Sequence, residues 1–243
     1  MTICIIGIDC ATQANKVGLA RGFVKKNSLI IDKVLKPRSK ESVSDIVTNW
    51  IIPEIKTLLA IDAPLGWPKS LGEELIHHSA GNSLNTESNR LFRRDTDKFI
   101  KEHVGKQSLD VGADRIARTA HAALKILSEV SEDINCEIPL AWNAELNSNI
   151  SVIEVYPAAT LKMCGYRSDG YKKKENIEQR KEILKAISKD VTFNLDTSLM
   201  VEDDDVLDAA ICVLSGFYFA SNQCFEPEDM MLAKKEGWIW VRK

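Results

Sequence analysis

Carboxylates in this chain stand where water has least access. Asp9 ends the apolar run of residues 3–8, and Asp62 ends Leu58-Leu59-Ala60-Ile61. Glu154 lies inside Val152-Ile153-Glu154-Val155, while Asp205 and Asp208 open an apolar stretch that runs to Ala220. An unpaired carboxylate in low dielectric costs several kcal/mol, so each should be paired, protonated or bound to a cation. Acids on separate apolar segments suggest one point of convergence, with a divalent cation there. No His or Cys set accompanies them, so hard oxygen ligands point to Mg2+ or Mn2+ rather than zinc.

Each acid also has an ordinary structural use. Asp9 could cap a turn as the chain leaves the sheet. In a strand it shares a face with Ile3, Ile5 and Gly7, and Gly7 would leave room for a substrate or another backbone. Asp62 could simply lead into the turn marked by Pro64 and Gly66. If strands one and four are adjacent and parallel, however, Asp9 and Asp62 emerge at the same end, where open α/β sheets bind ligands. Glu154 would be satisfied by a Lys or Arg. Asp203, Asp204 and Asp205 suit a helix N-terminus. Asp208 lies one turn further on, three residues from Asp205, so the two share a helix face.

The elements that must carry these residues follow from periodicity. Residues 2–10, 17–24 and 28–35 read as strands, with Lys26-Asn27 as the turn between the second and third. Residues 42–56 have helical spacing that Pro53 kinks or ends, and 57–62 form a fourth strand. Residues 69–150 are polar and mostly helical in pattern, with 114–130 the clearest helix and 143–149 a loop. A fifth strand is expected at 151–156, helices at 158–164, 175–188 and 204–221, and a terminal strand at 238–241. The result is one α/β domain over residues 1–243 with a mixed sheet. It has a three-stranded antiparallel meander plus parallel strands, and a helical insertion at 69–150 between strands four and five. This is the element order of the ribonuclease H fold.

At 243 residues the chain can bury a sizeable core, and 44% hydrophobic with 28% charged residues is ordinary for a globular protein. The net charge of −3 excludes a polycation, so any nucleic-acid contact must be local. The six cysteines include no C-x-x-C pair and suit reduced, buried thiols. The start lacks a signal-peptide pattern, and the apolar stretch 209–220 is too short to span a bilayer. A cytoplasmic protein without a membrane partner is expected.

The segments Gly7-Ile8-Asp9, Ala60-Ile61-Asp62-Ala63-Pro64 and Glu154-Val155-Tyr156-Pro157 are joined by Asp205-Val206-Leu207-Asp208-Ala209 and Glu236-Gly237-Trp238-Ile239-Trp240. With Arg94-Asp95-Thr96-Asp97 and Asp114-Arg115-Ile116, they resemble the predicted nucleases of the ribonuclease H fold grouped as domain of unknown function 429, over residues 3–241. The acids at strand one, strand four and the final helix are also similar in kind to those of Holliday-junction resolvases. The resemblance implies hydrolysis of phosphodiesters in nucleic acid, DNA or RNA, with two divalent ions. It makes Asp9, Asp62, Asp205 and Asp208 metal ligands, with Asp9 bridging both ions. Glu154 has no counterpart among the resolvase acids; it joins the catalytic set as a residue that orients a ligand.

A nuclease also needs cations for phosphate. Arg90, Arg93, Arg94, Arg115 and Arg118 lie in the insertion; Arg94, Arg115 and Arg118 are the candidates carried forward. Lys172-Lys173-Lys174, with Tyr166 and Tyr171 nearby, is a second basic run that could meet phosphate, but it reads first as a solvated surface face. His77, His78, His103 and His121 lack metal spacing, and Trp238 and Trp240 suit packing. Two other readings remain open. An ATP-dependent small-molecule kinase of the actin and sugar-kinase-like fold also begins with a strand ending in Asp, but the Thr of its phosphate turn is displaced here and the Gly is missing. A binding module for nucleic acid or protein could use the acids to hold a structural cation.

Overall fold

The computed structural model describes residues 2–112 and 114–243. Its centre is a six-stranded mixed sheet of strands β1 (Ile3–Asp9), β2 (Gly18–Lys25), β3 (Ser28–Leu35), β4 (Lys56–Asp62), β5 (Ile150–Glu154) and β6 (Val191–Phe193). The spatial order is β5-β4-β1-β2-β3-β6. β1, β2 and β3 form the expected antiparallel meander, and β4 and β5 add to it in parallel beside β1. The helices are α1 (Val43–Trp50), α2 (Lys69–Leu75), α3 (Ser88–Phe92), α4 (Asp95–Phe99), α5 (Asp114–Asp133), α6 (Pro157–Met163), α7 (Ile177–Ile187), α8 (Ser198–Glu202), α9 (Asp204–Ala220) and α10 (Met230–Glu236). A π-helical turn, Ile100–Val104, continues α4.

Strand alternation sorts the sheet into two faces. Ile5, Ala60 and Ile153 pack beneath α9. Ile6, Ile8, Ile61 and Val152 face the other way, against Val47 of α1 and Ala123 and Leu127 of α5. α9 is apolar nearly all round and is buried over most of its length, as a central helix must be. Its approach to the sheet requires glycine. A Cβ on Gly7 would collide with the Ala209 carbonyl, and one on Gly18 with the Asp205 carbonyl. The space left by Gly7 therefore admits the α9 backbone, the second of the two uses its position allowed.

Several boundaries differ from those expected. α1 stops at Trp50, three residues before Pro53, with Ser42 capping its start by accepting from the Asp45 N–H. Pro157 does not merely stop β5; it opens α6, where its missing N–H costs nothing. The tail at 238–241 is not a full strand. Ile239 bridges Glu154 and the Trp240 N–H donates to the Glu154 carbonyl at 2.9 Å. β6, too short to show a pattern, extends the far edge. Trp238 and Trp240 do pack, against Phe99 and Phe219 respectively. Among the described residues no helix is long and apolar enough to cross a membrane.

Candidate metal centre

β1 and β4 run parallel in a register that pairs Asp9 with Asp62. Partners in a parallel ladder project to the same face, so both carboxylates leave the carboxyl end of the sheet on the α9 side. α9 crosses that face pressed against Gly7. The residue it sets above the strand ends is Asp208, which precedes the Ala209 carbonyl seated on Gly7. One oxygen each from Asp9, Asp62 and Asp208 lies within 4.8 Å of the others. Asp9 and Asp62 line a cleft of about 330 Å3, with Asp208 buried behind them, and its walls include Cys10, Ala63, Ile116, Thr119, Tyr156, Glu154 and Lys172.

Asp208 is 0% exposed. Its Oδ1 accepts from the Tyr171 hydroxyl at 2.7 Å. Its Oδ2 is in ion-pair contact with Lys172 Nζ, but without hydrogen-bond geometry, so this buried oxygen has no hydrogen-bond partner. Sequence offers Lys172 and Tyr171 only as a basic run with a nearby aromatic, not as partners of Asp208. They sit in a loop with no periodicity, in a run that reads as solvated. The one available signal was indirect: a buried Asp208 requires a cation.

Electrostatics at the site are under-compensated. Burial and the neighbouring Asp208 and Asp62 hold the Asp9 carboxyl well above the usual carboxylate range. Burial pushes Asp62 up to about 7, against the opposing pull of Lys172. Asp208 is also raised by burial, with Lys172 and Tyr171 pulling it back. The same field pushes the Cys10 and Cys212 thiols up, burial being the main cause, and leaves them poor nucleophiles.

The remaining expected residues fall elsewhere. Asp205 is turned toward Lys36, in ion-pair contact with its Nζ, and Asp203 shares that lysine at 3.0 Å. Its carboxylate is not one of the three that converge. A spacing of three residues on a helix still separates two side chains by about 60°. Asp208 points over β1, while the Asp205 turn lies over Gly18 of β2.

Glu154 is out of phase. Its register partner is Ile61, not Asp62, so strand alternation sends it to the opposite face. There it meets Arg94, the basic partner its position called for, while still lining the cleft, and the pairing corrects the expectation that Arg94 is free for phosphate. Arg94 Nη2 donates to Glu154 Oε1 at 2.7 Å and Nη1 to Oε2 at 2.8 Å. Nε and Nη2 donate to Asp97 at 3.0 and 3.1 Å, and Nη1 also reaches the Glu236 carbonyl at 3.2 Å. These bonds use the guanidinium's five donors, so Arg94 has none left for a substrate phosphate. Glu154 Oε2 further accepts from the Leu65 N–H at 3.0 Å, which fixes the loop after β4.

Arg115 and Arg118 lie exposed on α5, whose Ile116 and Thr119 line the cleft. All four histidines are exposed and none joins the acid cluster.

The three acids fit a hard divalent cation. They supply oxygen donors only, one of them an orphaned buried oxygen, and a single lysine opposes them. The donor set does not separate Mg2+ from Mn2+.

No curated protein and no solved structure matches the chain. A family model does, over residues 7–231, a span that holds all three converging acids and most of the fold. The chain belongs to the family described as protein of unknown function (DUF429).

Proposed function

We propose that this protein is a Mg2+- or Mn2+-dependent nuclease, on a sheet of ribonuclease H-like order, that hydrolyses phosphodiester bonds. The observation that carries this reading is the convergence of Asp9, Asp62 and Asp208 at the carboxyl edge of β1 and β4. The meander followed by two parallel strands, with α9 carrying the third acid, supports the fold assignment. In this reading Asp9, Asp62 and Asp208 would hold the cations, each neighbouring the other two. Bound divalent ions supply Lewis acidity to phosphate oxygens and lower the pKa of the attacking water. Ala63, Ile116 and Val155 give the cleft an apolar wall beside Asp9 and Asp62.

The test is cleavage of labelled single-stranded, duplex and branched DNA, and of RNA, with Mg2+ or Mn2+ against EDTA. Removing only a ligand's hydrogen-bond partner costs about 10–100-fold in many metal enzymes, so loss of a ligand in Asp9→Asn should cost more. Equal cleavage by wild type and Asp9→Asn would remove the reading.

A further inference from the structure

Lys172 belongs to a run that looks like solvated surface, yet its backbone is caged. Arg180 is buried and has no carboxylate partner among the described residues. Its guanidinium instead donates to the carbonyls of Tyr171 at 2.7 Å, Lys173 at 2.9 Å, Lys174 at 3.4 Å and Val201 at 2.6 Å. Asn176 Nδ2 holds the Gly170 carbonyl at 2.7 Å, and Lys106 holds the Ser168 carbonyl at 3.1 Å. The loop is thus fixed at both flanks and along its inner edge. That cage aims two consecutive residues at the two oxygens of one buried acid, Tyr171 at Oδ1 and Lys172 at Oδ2 of Asp208. An unconstrained surface lysine would not sacrifice side-chain entropy in this way.

The two ends of the ion pair differ. Asp208 is inaccessible, whereas the Lys172 side chain is 53% exposed and lines the cleft. The other basic residue of the cleft wall, Arg94, has all its donors engaged. Lys172 alone of the two can change partner without breaking a buried network. A cation entering among Asp9, Asp62 and Asp208 would compete with it for Oδ2.

We propose that Lys172 serves this site through two successive partners: the Asp208 carboxylate in the cation-free protein, and a phosphate oxygen of the substrate once a divalent cation has taken the carboxylates. This rests on the nuclease reading above. It makes Lys172, held in place by Arg180, the phosphate-recognising residue in the cleft in place of Arg94. No bond is made or broken in the exchange; an ammonium trades one anionic oxygen for another.

Calorimetric titration of Mn2+ into the full chain, wild type and Lys172→Met, tests the first partner. The variant should bind Mn2+ about tenfold more tightly, since no internal cation competes. Binding of a 5′-phosphorylated single-stranded DNA oligonucleotide to the Ca2+-loaded protein tests the second. Lys172→Met should bind it about tenfold more weakly, and Lys172→Arg should recover most of the loss. Tighter Mn2+ binding with unchanged oligonucleotide affinity would overturn the proposal and leave Lys172 a mere counter-charge. Equal Mn2+ affinity in both proteins would overturn it while sparing the cation site. Absence of Mn2+ binding in wild type and variant alike would end the cation reading and this proposal together.

Discussion

Two groups of carboxylates, all buried except the half-buried Asp62, stand at the same edge of this sheet, and they differ in their supply of positive charge and donors. Around Arg94, the acids Asp97, Glu154 and Glu236 accept from a guanidinium, from the Ser108 hydroxyl and from the Leu65, Lys69 and Asp95 N–H groups. Around Asp208, three acids share one lysine and one tyrosine hydroxyl, and an oxygen is left without a hydrogen bond. The first group ties the insertion, the β4 loop, β5 and the tail after α10 into one clasp. The second joins only the Tyr171-Lys172 loop to α9. Buried charge that is fully partnered reads as architecture; buried charge that is left short of partners reads as a place for something else to bind.

The sharpest way to break this contrast is to neutralise one member of each group and compare melting in EDTA. Arg94→Met leaves Glu154 and Asp97 buried without their cation, which typically costs about 3–5 kcal/mol. For a chain of this length that lowers Tm by on the order of 10 °C. Asp9→Asn acts in the opposite direction. It removes a buried carboxyl whose ionisation is opposed by desolvation, Asp208 and Asp62, so the cation-free protein should melt a few degrees higher, at about 2–4 °C for each kcal/mol gained. If both substitutions lower Tm alike, the two groups are equivalent and the functional reading of the second loses its basis.

A smaller effect follows from pH. Asp62 is raised to about 7 in the folded protein from an ordinary 3.8 when unfolded. Between those values the native state holds a proton that the unfolded chain has released. The contribution is therefore fully present below about 4 and is lost as pH rises through about 7. In EDTA, the Tm of wild type should fall relative to Asp62→Asn across this window. Added Mg2+ or Mn2+ should reverse the loss, with a Tm shift that grows with pH because protons and cation compete. A Tm difference that stays flat from pH 5 to pH 7.5 would show that Asp62 is not desolvated as described (a window of about 4 to 7 is required).

The contrast also explains what the sequence made visible. Asp9 and Asp62 were legible because each ends an apolar strand, and parallel pairing of β1 with β4 brings strand ends together. Asp208 was legible as an acid one turn into an apolar helix. The need of Glu154 for a basic partner was legible, but its face was not, because its pairing with Ile61 rather than Asp62 leaves no trace in local pattern. Arg94 looked free because its main partner is 60 residues away, although Asp97 at spacing three was in plain view. Lys172 and Tyr171 were hidden in a loop whose shape depends on Arg180, a residue of another element. β6 is three residues long, below any usable period. Patterns report faces and ends; they do not report which buried charges find each other.

Asp205 gives the finest test, since sequence spacing joins it to Asp208 and the fold separates them. Its partner Lys36 is partly exposed, as is Asp205 itself, so the pair should contribute only about 0–1 kcal/mol. Lys36→Met should accordingly change Tm little. Asp205→Asn should leave Mn2+ affinity near that of wild type, because its carboxylate is turned toward β3 and its lysine. Asp208→Asn should abolish Mn2+ binding in the same titration. Should Asp205→Asn weaken Mn2+ as severely as Asp208→Asn, the first turn of α9 must rotate on cation binding and release Lys36. The cradle would then hold four acids rather than three, and the boundary between site and scaffold would move by one helical turn.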